Sequence, residues 1–261
     1  MSILKIEAVC KHFGGVRAVN DVSVDIEEGR ITSIIGPNGA GKTTLFNLIT
    51  GTYGLSSGDI IFQGRSLKKI APHTIHSLGI ARTFQNIRLF ATMTVLENVM
   101  IGFHSKLKPG MADLLIPKRF RHVEESMKQR AEAVLDLLDI LPKAGAEAVS
   151  LPYGEQRRVE IARALVSDPA LVLLDEPSAG MNVGEGKNLM QFITRIRDEM
   201  HKTVIVIEHN MRVVRSISDR LVVLDHGQKI ADGDPEQVLS DDKVIEAYLG
   251  KNNLTSYSQA K

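Results

Sequence analysis

Residues 36–44 read Gly-Pro-Asn-Gly-Ala-Gly-Lys-Thr-Thr, and this run constrains the chain more than any other. Gly36, Gly41, Lys42 and Thr43 occupy the four fixed places of a phosphate-binding loop pattern. Glycines let the backbone turn tightly and aim successive N–H groups inward as a concave anion nest. A helix beginning near Lys42 adds the positive end of its dipole. Lys42 is then placed for the β- and γ-phosphates and the Thr43 hydroxyl for Mg²⁺. Pro37, Asn38, Gly39, Ala40 and Thr44 fill out the cradle. The flanks agree with the motif. Ile31-Thr32-Ser33-Ile34-Ile35 is a short β-branched run that reads as a buried strand. Leu45-Phe46-Asn47-Leu48-Ile49 reads as an apolar helical stretch ended by Gly51. Strand, glycine loop and helix stand in the required order, so the chain is expected to bind a nucleoside triphosphate.

Composition narrows what such a chain can be. The 261 residues suffice for a real core, in one large domain or two small ones. Lys plus Arg total 32 against 31 for Asp plus Glu, a net charge of +1 that leaves no nucleic-acid footprint. A single cysteine, Cys10, cannot form an internal disulfide and fits a reducing compartment. The N-terminus lacks the shape of a signal peptide. No apolar run approaches the roughly 20 residues needed to span a bilayer, so a soluble, cytoplasmic protein is expected.

Along the chain, residues 3–9 and 22–26 alternate as strands about a turn at Gly14 and Gly15, and Gly58 to Phe62 reads as another. The character changes after Gln85. Residues 94–104 and 123–141 read as helices; in the second, Val123, Met127, Ala131, Val134, Leu135 and Leu138 recur at three- and four-residue steps. Between them lies a broken basic stretch that includes Lys106, Lys108, Lys118, Arg119 and Arg121. It reads as a solvated connection rather than a binding patch, with anionic lipid headgroups the better guess if it binds anything. From residue 170 strand and helix alternate again. Leu171 to Leu174, Thr203 to Ile207 and Leu221 to Leu224 are continuous apolar runs, as in parallel strands covered on both faces. Asp234 suits a helix cap and Pro235 a first turn.

Four further residues complete the chemistry a phosphate loop needs. Leu171 to Leu174 run directly into Asp175 and Glu176. A carboxylate at the C-terminal end of a parallel strand points into the crevice where α/β sheets bind ligands. Asp175 is placed to hold the Mg²⁺ shell, and Glu176 to polarise an attacking water. His209 follows the strand at 203–207 at the same sheet edge, where an imidazole can contact the γ-phosphate and hold Glu176 or the water. Gln85, in Arg82-Thr83-Phe84-Gln85, sits where the β-rich part meets the helical one. Its amide can ligate Mg²⁺ or bond the water.

One more segment supplies a resemblance. Leu151-Pro152-Tyr153-Gly154-Glu155-Gln156-Arg157-Arg158 ends shortly before the Asp175 strand. It is similar to the signature segment of ABC ATPases, Leu-Ser-Gly-Gly-Gln-Gln-Arg. With it a whole set appears in family order over roughly residues 3–250. Phe13 stands as the adenine-stacking aromatic, followed by the glycine loop, Gln85 as the Q-loop, the signature, Asp175 and Glu176, Ser178 to Asn182 as the D-loop, and His209 as the switch histidine. The resemblance implies an α/β P-loop ATPase with a mixed central sheet, an N-terminal antiparallel β part and a helical insertion. Its core spans 1–85 and 161–250, the helical subdomain 86–160 carries the signature, and 251–261 form a tail. It also implies ATP and Mg²⁺ as cofactors. In a head-to-tail pair, homo- or heterodimeric, Gly154 and Glu155 of one subunit complete the ATP site of the other.

The departures are specific. Pro152 and Tyr153 replace Ser and Gly, Glu155 replaces Gln, and Asn182 replaces the usual D-loop Asp. Pro152 has neither hydroxyl nor N–H, so the signature serine's contact does not carry over. Together with Arg82 to Phe90, Met93 to Asn98 and the terminal Ala247-Tyr248-Leu249-Gly250, these features resemble LivG-type ATP-binding subunits of branched-chain amino acid importers. Urea and amide importers share most of them. A lipopolysaccharide-extracting ATPase shares the Arg157 to Leu165 stretch, with Tyr153 arguing against it. A soluble ABC protein acting on nucleic acid or ribosomes usually has two cassettes or a long coiled coil. The importer reading implies integral membrane permease subunits whose coupling helices dock near Gln85 to Met100. It implies a substrate-binding protein acting indirectly, and a peripheral position on the cytoplasmic face of the membrane.

Overall fold

Two sheets of different construction hold the strands. The computed structural model describes residues 1–105 and 117–249. The first sheet is antiparallel with order β2-β1-β4-β5, where β1 is Ser2–Phe13, β2 Val16–Glu27, β4 Ser57–Phe62 and β5 Arg65–Ser66. The second has order β10-β9-β3-β8-β7-β6, from β3 Ile31–Ile35, β6 Ile80–Arg82, β7 Leu171–Asp175, β8 Thr203–Ile207, β9 Arg220–Asp225 and β10 Gln228–Gly233. Strands β6, β7, β8, β3 and β9 run parallel, and β10 closes the edge antiparallel to β9.

The first two strands are longer than the alternation indicated. Their pairing continues from Ser2↔Glu27 to Phe13↔Val16 because register shifts after Ile6 and Val9 absorb the breaks in apolar alternation. Gly14, at φ 55°, turns the hairpin.

The three central strands β3, β7 and β8 are buried at every position, as continuous apolar runs require. Their period of two then sorts side chains to two cores. Leu171, Leu173, Ile205 and Ile207 face helix α1 (Lys42–Ile49) and the antiparallel sheet. Val172, Leu174, Val204 and Val206 face the helical part and α6 (Val183–Asp198). Helix α1 is therefore pressed between two sheets, which fixes the glycine loop at its start.

After β6 the chain is helical, in shorter pieces than the periodicity suggested. Helix α2 (Pro72–Ser77) precedes β6. Helix α3 runs only over Val95–Met100 and tightens to a 3₁₀ turn over Ile101–Ser105; Thr94 and Glu97 form a capping box at its start. Helix α4 spans Pro117–Leu137, so it begins and ends earlier than the expected 123–141. Asp139, at φ 50°, takes the chain out of the helix. Ala131, Val134, Leu135 and Leu138 are buried as their spacing demands, whereas Val123 is exposed. Lys118, Arg119 and Arg121 fall within the opening turns of α4; Lys106 and Lys108 lie outside the described residues. Helix α5 (Tyr153–Leu165) runs unbroken across residue 160. Helices α7 (Met211–Ile217), α8 (Pro235–Leu239, capped by Asp234) and α9 (Asp242–Leu249) complete the described residues, and the expected tail at 251–261 lies outside them.

Candidate nucleotide site

The glycine loop folds as its residues require. Gly36 has φ 150°, and a Cβ there would lie 2.0 Å from the Leu224 carbonyl oxygen. Gly41 has φ 99°, and a Cβ would lie 2.4 Å from the Ala18 carbonyl. Only glycine fits either place. Ala40 is buried, while Asn38, Gly39 and Thr43 are exposed at the mouth. The Lys42 ammonium donates to the carbonyls of Gly36 at 2.7 Å and Pro37 at 2.9 Å. Burial pulls its pKa below the ordinary lysine value, opposed by the charges of Glu176 and Asp175. Those two carboxylates therefore share the ammonium's field.

Asp175 ends β7 and is buried. Its Oδ2 accepts from Arg82 Nη2 at 2.8 Å, while Arg82 Nη1 donates to Asn47 Oδ1 of α1 at 2.7 Å. The guanidinium lies over the rings of Phe46 and Phe84, at 5.5 and 5.4 Å. Burial pushes the Asp175 carboxyl up; the bond and charge of Arg82 act against that rise. Arg82 escaped the sequence reading. Its signal is topological: β6 pairs with β7, with Arg82 opposite Leu173, so the arginine lies beside the Asp175 strand end.

Glu176 continues the ladder one step, its N–H donating to the Ile207 carbonyl at 3.0 Å, and its φ of 47° turns the side chain's backbone out of the strand conformation. The Gln85 amide donates to Glu176 Oε2 at 3.0 Å, and His209 Nδ1 stands 3.9 Å from that same oxygen. Lys42, Gln85, Asp175, Glu176 and His209 thus converge at the C-terminal edge of the parallel sheet. They arrive from four separate strand ends, β3, β6, β7 and β8.

Phe13 lies at the end of β1 with its ring edge-on to Tyr53, centroids 5.2 Å apart at 79°. The Lys11 ammonium sits 4.9 Å from the Phe13 centroid and 5.8 Å from that of Tyr53. Tyr53 is a second aromatic that the sequence reading passed over.

Gly154 and Glu155 stand elsewhere, in the first turn of α5. A Cβ on Gly154 would lie 3.5 Å from the Glu185 side chain. Glu155 Oε1 accepts from Lys143 Nζ at 2.6 Å, so the acidic replacement in the signature segment is neutralised within the chain. Pro152 is the N-cap of α5 and supplies no side-chain cap bond. Asn182 caps α6 in a reciprocal box with Glu185, which an Asp could do equally well. The helical part reaches the sheet edge through Arg157, which is fully buried. Its Nη1 donates to the Phe84 carbonyl at 2.7 Å and its Nη2 to the Gln85 carbonyl at 2.6 Å.

Residues 19–179 match the family model for the ABC transporter. The chain belongs to the ABC transporter ATPase family. Residues 228–252 also match the model of the branched-chain amino acid ATP-binding cassette transporter. The chain is 42% identical over 250 residues to the high-affinity branched-chain amino acid transport ATP-binding protein LivG of Salmonella typhimurium, covering 95% of this chain and 98% of that one. It is likewise 42% identical over 250 residues to BraF of Pseudomonas aeruginosa, with the same coverage of this chain. Among solved structures, the ADP conformation of an ATP-binding cassette of an ABC transporter superposes with a TM-score of 0.84 at 35% identity, over 96% of this chain and all of that one. A dimeric ATP-binding cassette bound to ADP and Pi matches with a TM-score of 0.74 at 27% identity, over 89% and 98%.

This ABC ATPase is accordingly an ATP-binding, ATP-hydrolysing subunit with the mixed sheet, antiparallel N-terminal sheet and helical part of its family. Among the described residues no helix is long and apolar enough to cross a membrane.

Proposed function

We propose that this subunit powers a branched-chain amino acid importer from the cytoplasmic face of the membrane, where it couples ATP hydrolysis to integral permease subunits served by a substrate-binding protein. The observation that carries the substrate is the likeness to LivG and BraF along nearly the whole chain, including the C-terminal segment 228–252. In this reading Lys42 and the N–H groups of residues 36–44 bind the phosphates, and Phe13 stacks on the adenine. Glu176 takes the proton from the attacking water. Gln85 and His209, which converge on one oxygen of Glu176, orient base and water.

The donor set suits Mg²⁺. Thr43, Gln85 and Asp175 offer hard oxygen ligands, and the buried Asp175 carboxylate keeps Oδ1 free of the Arg82 bond. When bound, the ion neutralises charge on the β- and γ-phosphates. The chain's own part is to hold that carboxylate still, which Arg82 does from β6, braced against Asn47 of α1.

Two such subunits face head to tail. Gly154 and the open first turn of α5 complete the partner's site, with the helix dipole directed at phosphate. Nucleotide-driven closure then moves the permease. A groove of about 450 Å³ between the sheet and the helical part, lined by Arg82, Phe84, Ile101, Glu160 and Arg163, receives the permease. Its floor touches the catalytic edge directly, because Arg82 bonds Asp175.

Co-expression with the neighbouring permease subunits, reconstitution into proteoliposomes and uptake of labelled leucine against labelled urea tests the reading. ATP-dependent leucine uptake that Lys42→Ala abolishes is expected. Urea uptake, or export in inverted vesicles, overturns the substrate or the direction.

A further inference from the structure

Glu208 is the residue directly after β8, and its side chain is completely buried. Moving a carboxylate out of water costs several kcal/mol even after relaxation. Among the described residues, this one is held by two backbone donors. Its Oε1 accepts the Ser178 N–H at 3.1 Å, and its Oε2 accepts the His209 N–H at 3.2 Å. The first donor belongs to the loop leaving β7 and the second to the loop leaving β8.

The two strands explain why a side chain stands here. Their parallel pairing ends at Asp175↔Ile207, and the main chain adds one more bond, Glu176 N–H to Ile207 carbonyl. Beyond that bond, no backbone hydrogen bond joins the two loops among the described residues. The Glu208 carboxylate takes over as the next rung. Its partner Ser178 lies two residues after Glu176, which is itself held at φ 47°. A left-handed conformation at a residue other than glycine costs on the order of 1–3 kcal/mol and persists only where neighbours over-determine it.

We propose that Glu208 is a positioning residue for hydrolysis. One carboxylate, gripping both loops, sets the separation between Glu176 and His209. The inference rests on the roles given above to those two residues. A carboxylate suits the task because it presents two acceptors and no donor, whereas a carboxamide turns an N–H₂ toward one of the two N–H groups. Glu208→Gln keeps the volume, loses one grip and lets one loop drift. A displacement of about 1 Å costs on the order of 10²-fold in rate.

The test uses the full chain. For Glu208→Gln, kcat is expected to fall about 10- to 10²-fold while the equilibrium ATP affinity stays within about twofold. The loss it causes in a His209→Ala background is expected to be smaller than in the wild type, since both act through one geometry. Glu208→Asp, which keeps the charge on a shorter arm, serves as the second variant if the first does not fold, with the same fall in kcat expected. A wild-type kcat, a parallel loss of affinity and kcat, or strict additivity with His209→Ala overturns the proposal. Glu176→Gln is measured alongside. If it retains hydrolysis, both the base assignment and this inference fall. If it is inactive while Glu208→Gln turns over normally, only the positioning role falls.

Discussion

The guanidinium of Arg157 donates to the backbone carbonyl of Gln85 at 2.6 Å. The same group bonds the Phe84 carbonyl and Glu160, and receives the Tyr153 hydroxyl as a further acceptor at 3.1 Å. The tyrosine that departs from the family's glycine thus packs beside Gly180, its ring 3.4 Å from where a Cβ there would be, while its hydroxyl meets the arginine that grips Phe84 and Gln85. Helix α5, the segment before the insertion and the loop after Glu176 are joined around one buried side chain. Gln85 reaches Glu176 with its amide and α5 with its carbonyl.

Removing that arginine should be costly in a pH-dependent way. Arg157→Ala leaves the buried Glu160 carboxylate without its partner, an arrangement worth about 3–5 kcal/mol of lost stability. Burial already pushes the Glu160 carboxyl up, with Arg157 opposing. A carboxyl raised on folding contributes full stability below its unfolded value and loses it as pH rises through the folded one. Without Arg157 the folded value rises further, so the deficit is greatest at neutral pH and shrinks toward pH 5. Thermal melts of both proteins across that range check this, and a deficit independent of pH would contradict it.

Glu176→Gln should lower turnover by about 10²- to 10⁴-fold with ATP binding retained. The amide keeps the hydrogen-bonding reach toward Gln85 but cannot take a proton from water. Single-turnover hydrolysis together with equilibrium binding separates the two effects. Hydrolysis at the wild-type rate would remove Glu176 from the base role.

Pro152→Ser should leave ATPase activity undiminished. Pro152 caps α5 without a side-chain bond, and a serine there can accept from the first-turn N–H groups. That substitution adds about 0.5–1 kcal/mol to the helix. A raised melting temperature with equal or higher turnover is expected; a large loss of turnover would show that the proline has a purpose of its own in the paired state.

Much of this architecture was legible because it is local. The helix after Pro235 announces itself through Asp234, whose side chain accepts two first-turn N–H groups. The parallel strands announce themselves as apolar runs. What periodicity misjudged were helix ends. Val123 continues the apolar spacing yet faces solvent, because spacing reports a stripe and not where the neighbouring surface stops. The two N-terminal strands run longer than their alternation shows, because bulges break the alternation that marks a strand.

Sequence alone determined the glycine loop at 36–44, whose φ values and close approaches only glycine tolerates, and the carboxylates at the end of an apolar run. Both are requirements of the backbone over a few residues, and so leave a local imprint. The tertiary structure decided the rest: that Arg82 holds Asp175 across 93 positions, that Arg157 grips Gln85 across 72, and that Glu208 ties two loops 30 apart. Such pairings exist only because parallel strands distant in the chain end side by side at one sheet edge. No short stretch of residues carries the trace of a neighbour that topology supplies.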